Sequence, residues 1–299
     1  MKIMVTGANG QVGTEIVKFF SSSVYQVYAC TRDILDCSKI ERVHDVLSEI
    51  EPDLIINAAA YTDVDQAEDE PDLAHMVNAK FVSRLVNYCR LKNIPLIHLS
   101  TDYVFDGEKE GSYHENDIPH PLSTYGRTKW EGEQAILSQL KKYIILRVSW
   151  VFGEQGKNFV KTILNLASSR KELNIVSDQW GRPTSARDIA RVLFEIVQKI
   201  SHSSFESWGI YHYAGQGVTN WYEFANAFLK ITKDKQLSLT LNNLNPIKSE
   251  EYPTKAIRPK NSVLDTTKIE TILGIKSCSW KNDLPDVIDN FTKKLRITL

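Results

Sequence analysis

Cysteine is scarce and scattered in this chain of 299 residues: Cys30, Cys37, Cys89 and Cys278 form no C-x-x-C pair and neighbour no histidine cluster. Neither a disulfide framework nor a zinc site is indicated, and a reducing cytoplasm is the expected compartment. No run of 18 uninterrupted apolar residues occurs, and the apolar stretch within residues 1–7 is too short for the core of a secretion signal. Neither a membrane span nor an export signal is expected. An excess of one charge is missing as well, since 36 Lys and Arg stand against 37 Asp and Glu, a net charge of −1. That balance argues against nucleic acid or an anionic membrane as partner, while leaving room for a local basic pocket that takes a small anion. Internal repeats and low-complexity linkers are absent too. What remains is a globular composition, 42% hydrophobic and 24% charged, at a length suited to one large or two modest domains.

In the first half, short β-rich runs at residues 3–5, 24–30, 54–60, 96–99 and 143–146 alternate with helical patterns. Such alternation predicts a parallel sheet covered on both faces. Ile40, Val43, Val46, Leu47 and Ile50 recur at helical spacing, and Ser38 with Glu41 matches a capping box before them. Pro71 opens a second helical pattern that runs to Cys89. The second half is less regular, with helical patterns near 157–169, 185–200 and 220–231 and a β-like run at 210–214. The expected fold is α/β, a Rossmann-type doubly wound parallel sheet with a smaller mixed α/β substrate-binding lobe. Residues 1–150 are expected to form the dinucleotide-binding domain, completed by part of 171–200. Residues 151–299 are mostly the substrate lobe, interleaved with the first.

The first strand runs into Thr6-Gly7-Ala8-Asn9-Gly10-Gln11-Val12-Gly13 and then a helix. Glycines at this spacing suit a tight turn, a backbone approaching a pyrophosphate, and a helix packed closely on its strand. Gly7, Asn9, Gly10, Gln11, Val12 and Gly13 are therefore candidate cofactor contacts. About 20 residues beyond, at the end of the second strand, stand Thr31-Arg32-Asp33. Arg32 suits a 2′-phosphate and hence NADPH, whereas Asp33 suits a free 2′-hydroxyl and hence NADH. NADPH is favoured and NADH stays possible. Asp36 and Cys37 are placed beside the adenine, with plain capping as the alternative role of Asp36.

Ser100-Thr101-Asp102-Tyr103-Val104-Phe105 follows a buried-strand pattern, which sets hydroxyls at a strand's carboxyl end. Tyr125-Gly126-Arg127-Thr128-Lys129 opens a helix 24 residues after Thr101. Positions 125 and 129 share a helical face. There Lys129 can lower the phenol's pKa and bind the nicotinamide ribose, leaving Tyr125 as general acid. Thr101, Tyr125 and Lys129 are the candidate catalytic residues.

Together with Asn57-Ala58-Ala59-Ala60-Tyr61-Thr62-Asp63-Val64-Asp65, Arg147-Val148-Ser149-Trp150-Val151, Asp178-Gln179-Trp180-Gly181-Arg182-Pro183-Thr184 and Arg258-Pro259-Lys260-Asn261-Ser262, these segments resemble the extended short-chain dehydrogenase/reductase family across nearly the whole chain. Within it the likeness is to the branch that completes dTDP-L-rhamnose. The resemblance implies NADPH-dependent reduction of the C4 keto group of dTDP-4-dehydro-6-deoxy-L-mannose, with Tyr125 protonating the emerging alkoxide and Thr101 hydrogen-bonding the same oxygen. It implies that Ala58, Ala59 and Ala60 let the cofactor lie close, tight strand–helix packing being an equally good reason for them. Tyr103, Trp150, Asn158 and Phe159 are implied beside the sugar or base, Asp63 near the active site, and Arg258 near the diphosphate. Core packing for Trp150 and a surface salt bridge for Arg258 are the plainer alternatives. The acidic run at 63–70 is otherwise read as a solvated face.

Some members of the family are described as homodimers bridged by Mg²⁺. Glu15 stands at one ligand position, but Arg187 and Lys281 occupy the others and cannot hold a hard cation. No metal is expected, and the chain is read as a monomer or weak homodimer. A sugar-nucleotide dehydratase is disfavoured because Thr101-Asp102 is not followed by Glu, and an epimerase would keep its NAD. Two alternatives stay open: a reductase of another nucleotide 4-keto-6-deoxy sugar, and a non-catalytic regulatory subunit resembling the methionine adenosyltransferase beta subunit.

Overall fold

A computed structural model describes residues 1–237 and 239–297. Six parallel strands form the central sheet: β1 (Lys2–Thr6), β2 (Gln26–Cys30), β3 (Leu54–Asn57), β4 (Leu96–Thr101), β5 (Tyr143–Val148) and β6 (Gly209–Tyr213). Their order is β2-β1-β3-β4-β5-β6. The direction of winding reverses between β1 and β3, and a crevice opens there at the strands' carboxyl ends. The doubly wound sheet expected from the sequence is present.

Side chains alternate across β1. Ile3 and Val5 face a core shared with α1 (Gln11–Phe20) and α6 (Ala186–Ile200), whereas Met4 faces α2 (Val43–Ile50), α3 (Phe81–Lys92) and the end of α4 (Thr124–Gln139). A second core lies among α5 (Phe159–Ser169), α7 (Trp221–Asp234), α8 (Leu284–Ile297) and the parallel pair Glu172–Val176 with Asn243–Ile247. Phe152, Phe224, Phe228 and Trp280 fill its centre. The last strand of the sheet, β6, therefore follows α5 and α6 in the chain.

Two local expectations differ. The pattern at 40–50 resolves into a 3₁₀ turn, Ile40–Arg42, followed by α2, with no side-chain cap at either start. Ser38 does not form the capping box because its hydroxyl donates to Asp36 Oδ1 at 2.7 Å. The helix opened by Pro71 is interrupted by a π-helical segment, Met76–Lys80, before α3 begins. Inside that segment Asn78 bonds both the N–H and C=O of Tyr61 and the Thr128 hydroxyl.

Two rows of polar side chains cross the otherwise apolar sheet near its carboxyl edge. Thr6, Asn57 and His98 are successive register partners, as are Ser100, Arg147 and His212. All six are buried. Helix α4 lies over both rows.

Candidate active site

At the end of β1, Gly7 adopts φ +63°. A Cβ on Gly7 would lie 2.7 Å from the Ala59 Cα, and one on Gly13 would lie 2.1 Å from the Gly7 carbonyl oxygen. Neither position accepts a side chain. Gly10 caps α1 without any side-chain hydrogen bond, so the first turn presents bare backbone N–H groups toward the crevice. A glycine-walled cradle at a helix N-terminus matches a dinucleotide pyrophosphate in size and sign. Asn9 is exposed at its lip, Val12 packs on the core, and Gln11 donates to the Val151 carbonyl at 3.3 Å. Ala58, Ala59 and Ala60 follow β3 directly beside Gly7.

Beyond β2, Arg32 is 76% exposed and 3.6 Å from Asp36. Hydrogen bonds from Ser38 hold the Asp36 carboxyl below its usual range. Burial pushes the neighbouring Cys37 thiol up to about 12, which leaves it inert.

The catalytic candidates converge beyond β4. Tyr125 sits in the first turn of α4, whose N-cap is the Ser123 hydroxyl. Burial pushes the Tyr125 phenol up to about 12, and a hydrogen bond with Thr101 pulls the other way. Thr101 in turn donates to Asp102 Oδ1 at 3.1 Å and accepts from the Tyr103 N–H. One turn on, Lys129 is buried and donates to the Leu99 carbonyl at 2.7 Å, with His98 Nε2 at 3.3 Å. Desolvation draws its ammonium down to about 8, with Glu133 opposing. The same burial, with the Lys129 charge beside it, keeps His98 neutral. His98 Nδ1 lies 2.9 Å from Asn57 Nδ2, and Asn57 Oδ1 accepts from Thr6 at 2.6 Å; a neutral ring accepts at only one nitrogen, so the firm anchor of Lys129 is the Leu99 carbonyl, with the first polar row packed behind it. Another turn on, Glu133 binds Arg147 and accepts from Ser100 at 2.5 Å, closing the second row.

The depression of the phenol's pKa by Lys129 is therefore not what this structure shows. The ammonium is directed at Leu99 and His98, and desolvation of the ring dominates.

On the lobe side, Tyr103 stacks edge-on to Tyr125 with centroids 5.8 Å apart. Trp150 has φ +47° and lies flat on Trp221, 3.5 Å between centroids, with Gly181 so close to the indole that a Cβ there would lie 2.3 Å from its Cε2. Its indole N–H donates to Ser262 Oγ at 3.1 Å. The result is a rigid aromatic slab at the border of the two cores. Asp63 is half exposed and 3.5 Å from Lys157.

The model of one family, the RmlD substrate binding domain, matches residues 1–293. The chain belongs to that family. It is 43% identical to a dTDP-4-dehydrorhamnose reductase of Aggregatibacter actinomycetemcomitans, over 96% of this chain and 98% of that one. Its structure is similar to a dTDP-4-dehydrorhamnose reductase of Clostridium acetobutylicum, with TM-score 0.89, 36% identity, and 98% of this chain and 100% of that one covered. A Bacillus anthracis dTDP-4-dehydrorhamnose reductase in complex with NADP superposes with TM-score 0.86 at 34% identity, covering 96% and 98% of the two chains.

Within this RmlD-family fold, several of the expected site residues also have structural partners. Asn158, expected beside the substrate, also has structural work: Oδ1 caps α5 at the Lys161 N–H, and Nδ2 donates to Gln11 Oε1 at 2.7 Å and the Gly153 carbonyl at 2.8 Å. It fastens α5 to the start of α1. Phe159 is half-buried and packs on Trp221 and Phe224 at the lobe core, backing the slab. Arg258 pairs with Asp65 at 2.6 Å. The acidic run at 63–70 is a solvated face at Asp63, Asp69 and Glu70, which stay exposed, whereas the half-buried Asp65 and Glu68 hold partners from other segments.

Several participants escape sequence reasoning. Trp221 begins a helix and gives no motif. His98 and Asn57 look like odd polar residues in apolar strands, and only the register joins them. At the expected metal position, Glu15 shares a cleft with Glu154, Arg187, Asp283 and Asp286, and Arg187 pairs with Asp286 at 3.0 Å. Among the described residues no three His, Cys, Asp or Glu side chains come together as a metal site, and no helix is long and apolar enough to cross a membrane.

Proposed function

We propose that this chain reduces the C4 keto group of dTDP-4-dehydro-6-deoxy-L-mannose to give dTDP-L-rhamnose, using NADPH. The observation that carries the reading is the convergence of Thr101, Tyr125 and Lys129 beside the β1–β3 crevice, within a fold whose relatives are named as reductases of this sugar nucleotide. The glycine cradle fits the cofactor's pyrophosphate, and exposed Arg32 suits its 2′-phosphate. A bound nicotinamide supplies the hydride.

The chain's own residues do the rest. Tyr125, neutral at physiological pH, gives its proton to the oxygen of the former carbonyl, and Thr101 hydrogen-bonds that oxygen as charge develops. Lys129, buried one helical turn beyond Tyr125 and held by the Leu99 carbonyl, is the residue assigned to bind the nicotinamide ribose. The Trp150–Trp221 slab supplies an apolar wall for the sugar or base, Tyr103 borders the reacting centre, and Arg258 faces the diphosphate.

The test follows absorbance at 340 nm while the purified protein and NADPH meet dTDP-4-keto-6-deoxy-L-mannose made in situ. Stoichiometric NADPH loss with dTDP-L-rhamnose as product is expected. Folded protein that oxidises neither NADPH nor NADH in the presence of this ketosugar refutes the reading.

A further inference from the structure

The acidic run at 63–70 and the segment 254–260 meet beside the site. Asp65 Oδ2 receives Arg258 Nη2 at 2.6 Å, and Asp65 Oδ1 receives the Ala256 N–H at 3.1 Å. Asp69 binds Lys255 on the same segment. Three residues after Asp65, Glu68 accepts from both the N–H and the hydroxyl of Thr124, each at 2.7 Å. Thr124 is the first residue of α4 and the neighbour of Tyr125. One short loop thus ties the Arg258 segment to the start of the catalytic helix.

Arg258 is not fully satisfied by this arrangement. Its Nη2 is taken by Asp65, but its Nε is enclosed without a hydrogen-bond partner. An unmatched buried donor on a guanidinium is costly, and the part of the guanidinium left open can take an anionic ligand oxygen in a charge-assisted hydrogen bond. The side chain remains 28% exposed, so a ligand can reach it. Its charge is also felt by Tyr103, which rests on Tyr125.

Resting on the sugar-nucleotide reading above, we propose that Asp65 is a positioning residue for the substrate's diphosphate, holding Arg258 at a fixed distance from the helix that carries Tyr125. Asp65 itself does not touch the substrate. Its negative charge opposes that of the diphosphate, so a role in mere charge attraction would have the opposite sign: its removal would tighten binding.

The experiment measures dTDP and dTMP affinity by calorimetry for the full chain, Asp65→Asn, Arg258→Met and the double variant, with KM for the nucleotide sugar and for NADPH alongside. Asp65→Asn is expected to weaken dTDP about tenfold, or about 1.4 kcal/mol, and dTMP about twofold or less. KM for the nucleotide sugar rises with it while KM for NADPH stays put, and the double variant binds dTDP no worse than Arg258→Met alone. Asp65→Ser, which keeps a hydroxyl for the Ala256 N–H, replaces the Asn variant if that fails to fold. Unchanged or tighter dTDP binding, equal losses for dTMP and NADPH, additivity in the double variant, or no dTDP binding by the parent chain each overturn the inference. If coupling is seen but the ketosugar is not reduced, the reductase reading falls and the role of Asp65 stands. Reduction without coupling removes the role of Asp65 alone.

Discussion

Tyr125 meets the cleft as a neutral phenol with a pKa near 12, so its proton is present throughout the physiological range. Tyr125→Phe keeps the ring and removes only that proton. The expected loss is in kcat, by about 10²–10⁴-fold, with KM for the nucleotide sugar changing little; a kcat within a few-fold of the parent would move the proton donor elsewhere. Arg32 is the matching test at the cofactor end. Arg32→Ala should raise KM for NADPH about tenfold or more, as loss of a charge-assisted contact predicts, and leave KM for NADH almost unchanged. Asp102 makes a prediction about pH. Burial raises its carboxyl from 3.8 to about 7, and Oδ2 has no hydrogen-bond partner. Between those values the folded chain holds a proton that the unfolded chain releases, so stability from this residue falls as pH rises from about 4 to 7. Asp102→Asn should therefore stabilise the protein by about 2 kcal/mol more at pH 8 than at pH 5, read from urea midpoints at the two pH values. Equal gains at both would show that the carboxyl titrates normally.

Along α4, Tyr125, Lys129 and Glu133 stand at i, i+4 and i+8, one stripe laid over two polar rows of the sheet. The stripe explains why polar groups are buried there: each row ends on a charged residue of the helix that carries the proton donor. Glu133 and Arg147 are both almost wholly enclosed and joined at 2.6 Å. Glu133→Ala strands the guanidinium and should cost about 3–5 kcal/mol, with Ser100 left unpaired as well; a loss under 1 kcal/mol in urea denaturation would mean that water replaces the carboxylate. The first two members of the stripe were legible as a Y-x-x-x-K spacing, and the glycine loop was legible because its chemistry is contiguous. Glu133 was not, since it read as ordinary helix. Nor was the work of the acidic run, because Lys157, Lys255 and Arg258 come roughly 90 to 190 residues later and only the fold brings them to it. The structural work of Asn158 was hidden for a related reason: a helix start at Phe159 and a neighbour 147 residues earlier use its amide.

Across the whole molecule, the chain leaves the sheet after β5, builds α5 and α6, and returns as β6 beside β5. Residues of α6, among them Ile189, Leu193 and Ile196, seal the same core as Ile3, Val5 and Ile16. The alternation of the first half was legible as a sheet because strands and helices there follow one another locally. The return of 209–213 was legible only as a β-like run, since nothing local names its partner. The two cores share a covalent path that crosses between them more than once, and Asn158 bolts α5 to α1. Calorimetry should accordingly give one unfolding transition, and two well-separated peaks would show independent lobes. The late return of β6 also shapes how the protein is made. A nascent chain that has just delivered β5 must wait for about sixty more residues, roughly 3–12 s of elongation, before that strand gains its outer neighbour. During the wait β5 is an open edge bearing Ile144, Ile145 and Leu146, a template for stray pairing until β6 covers it.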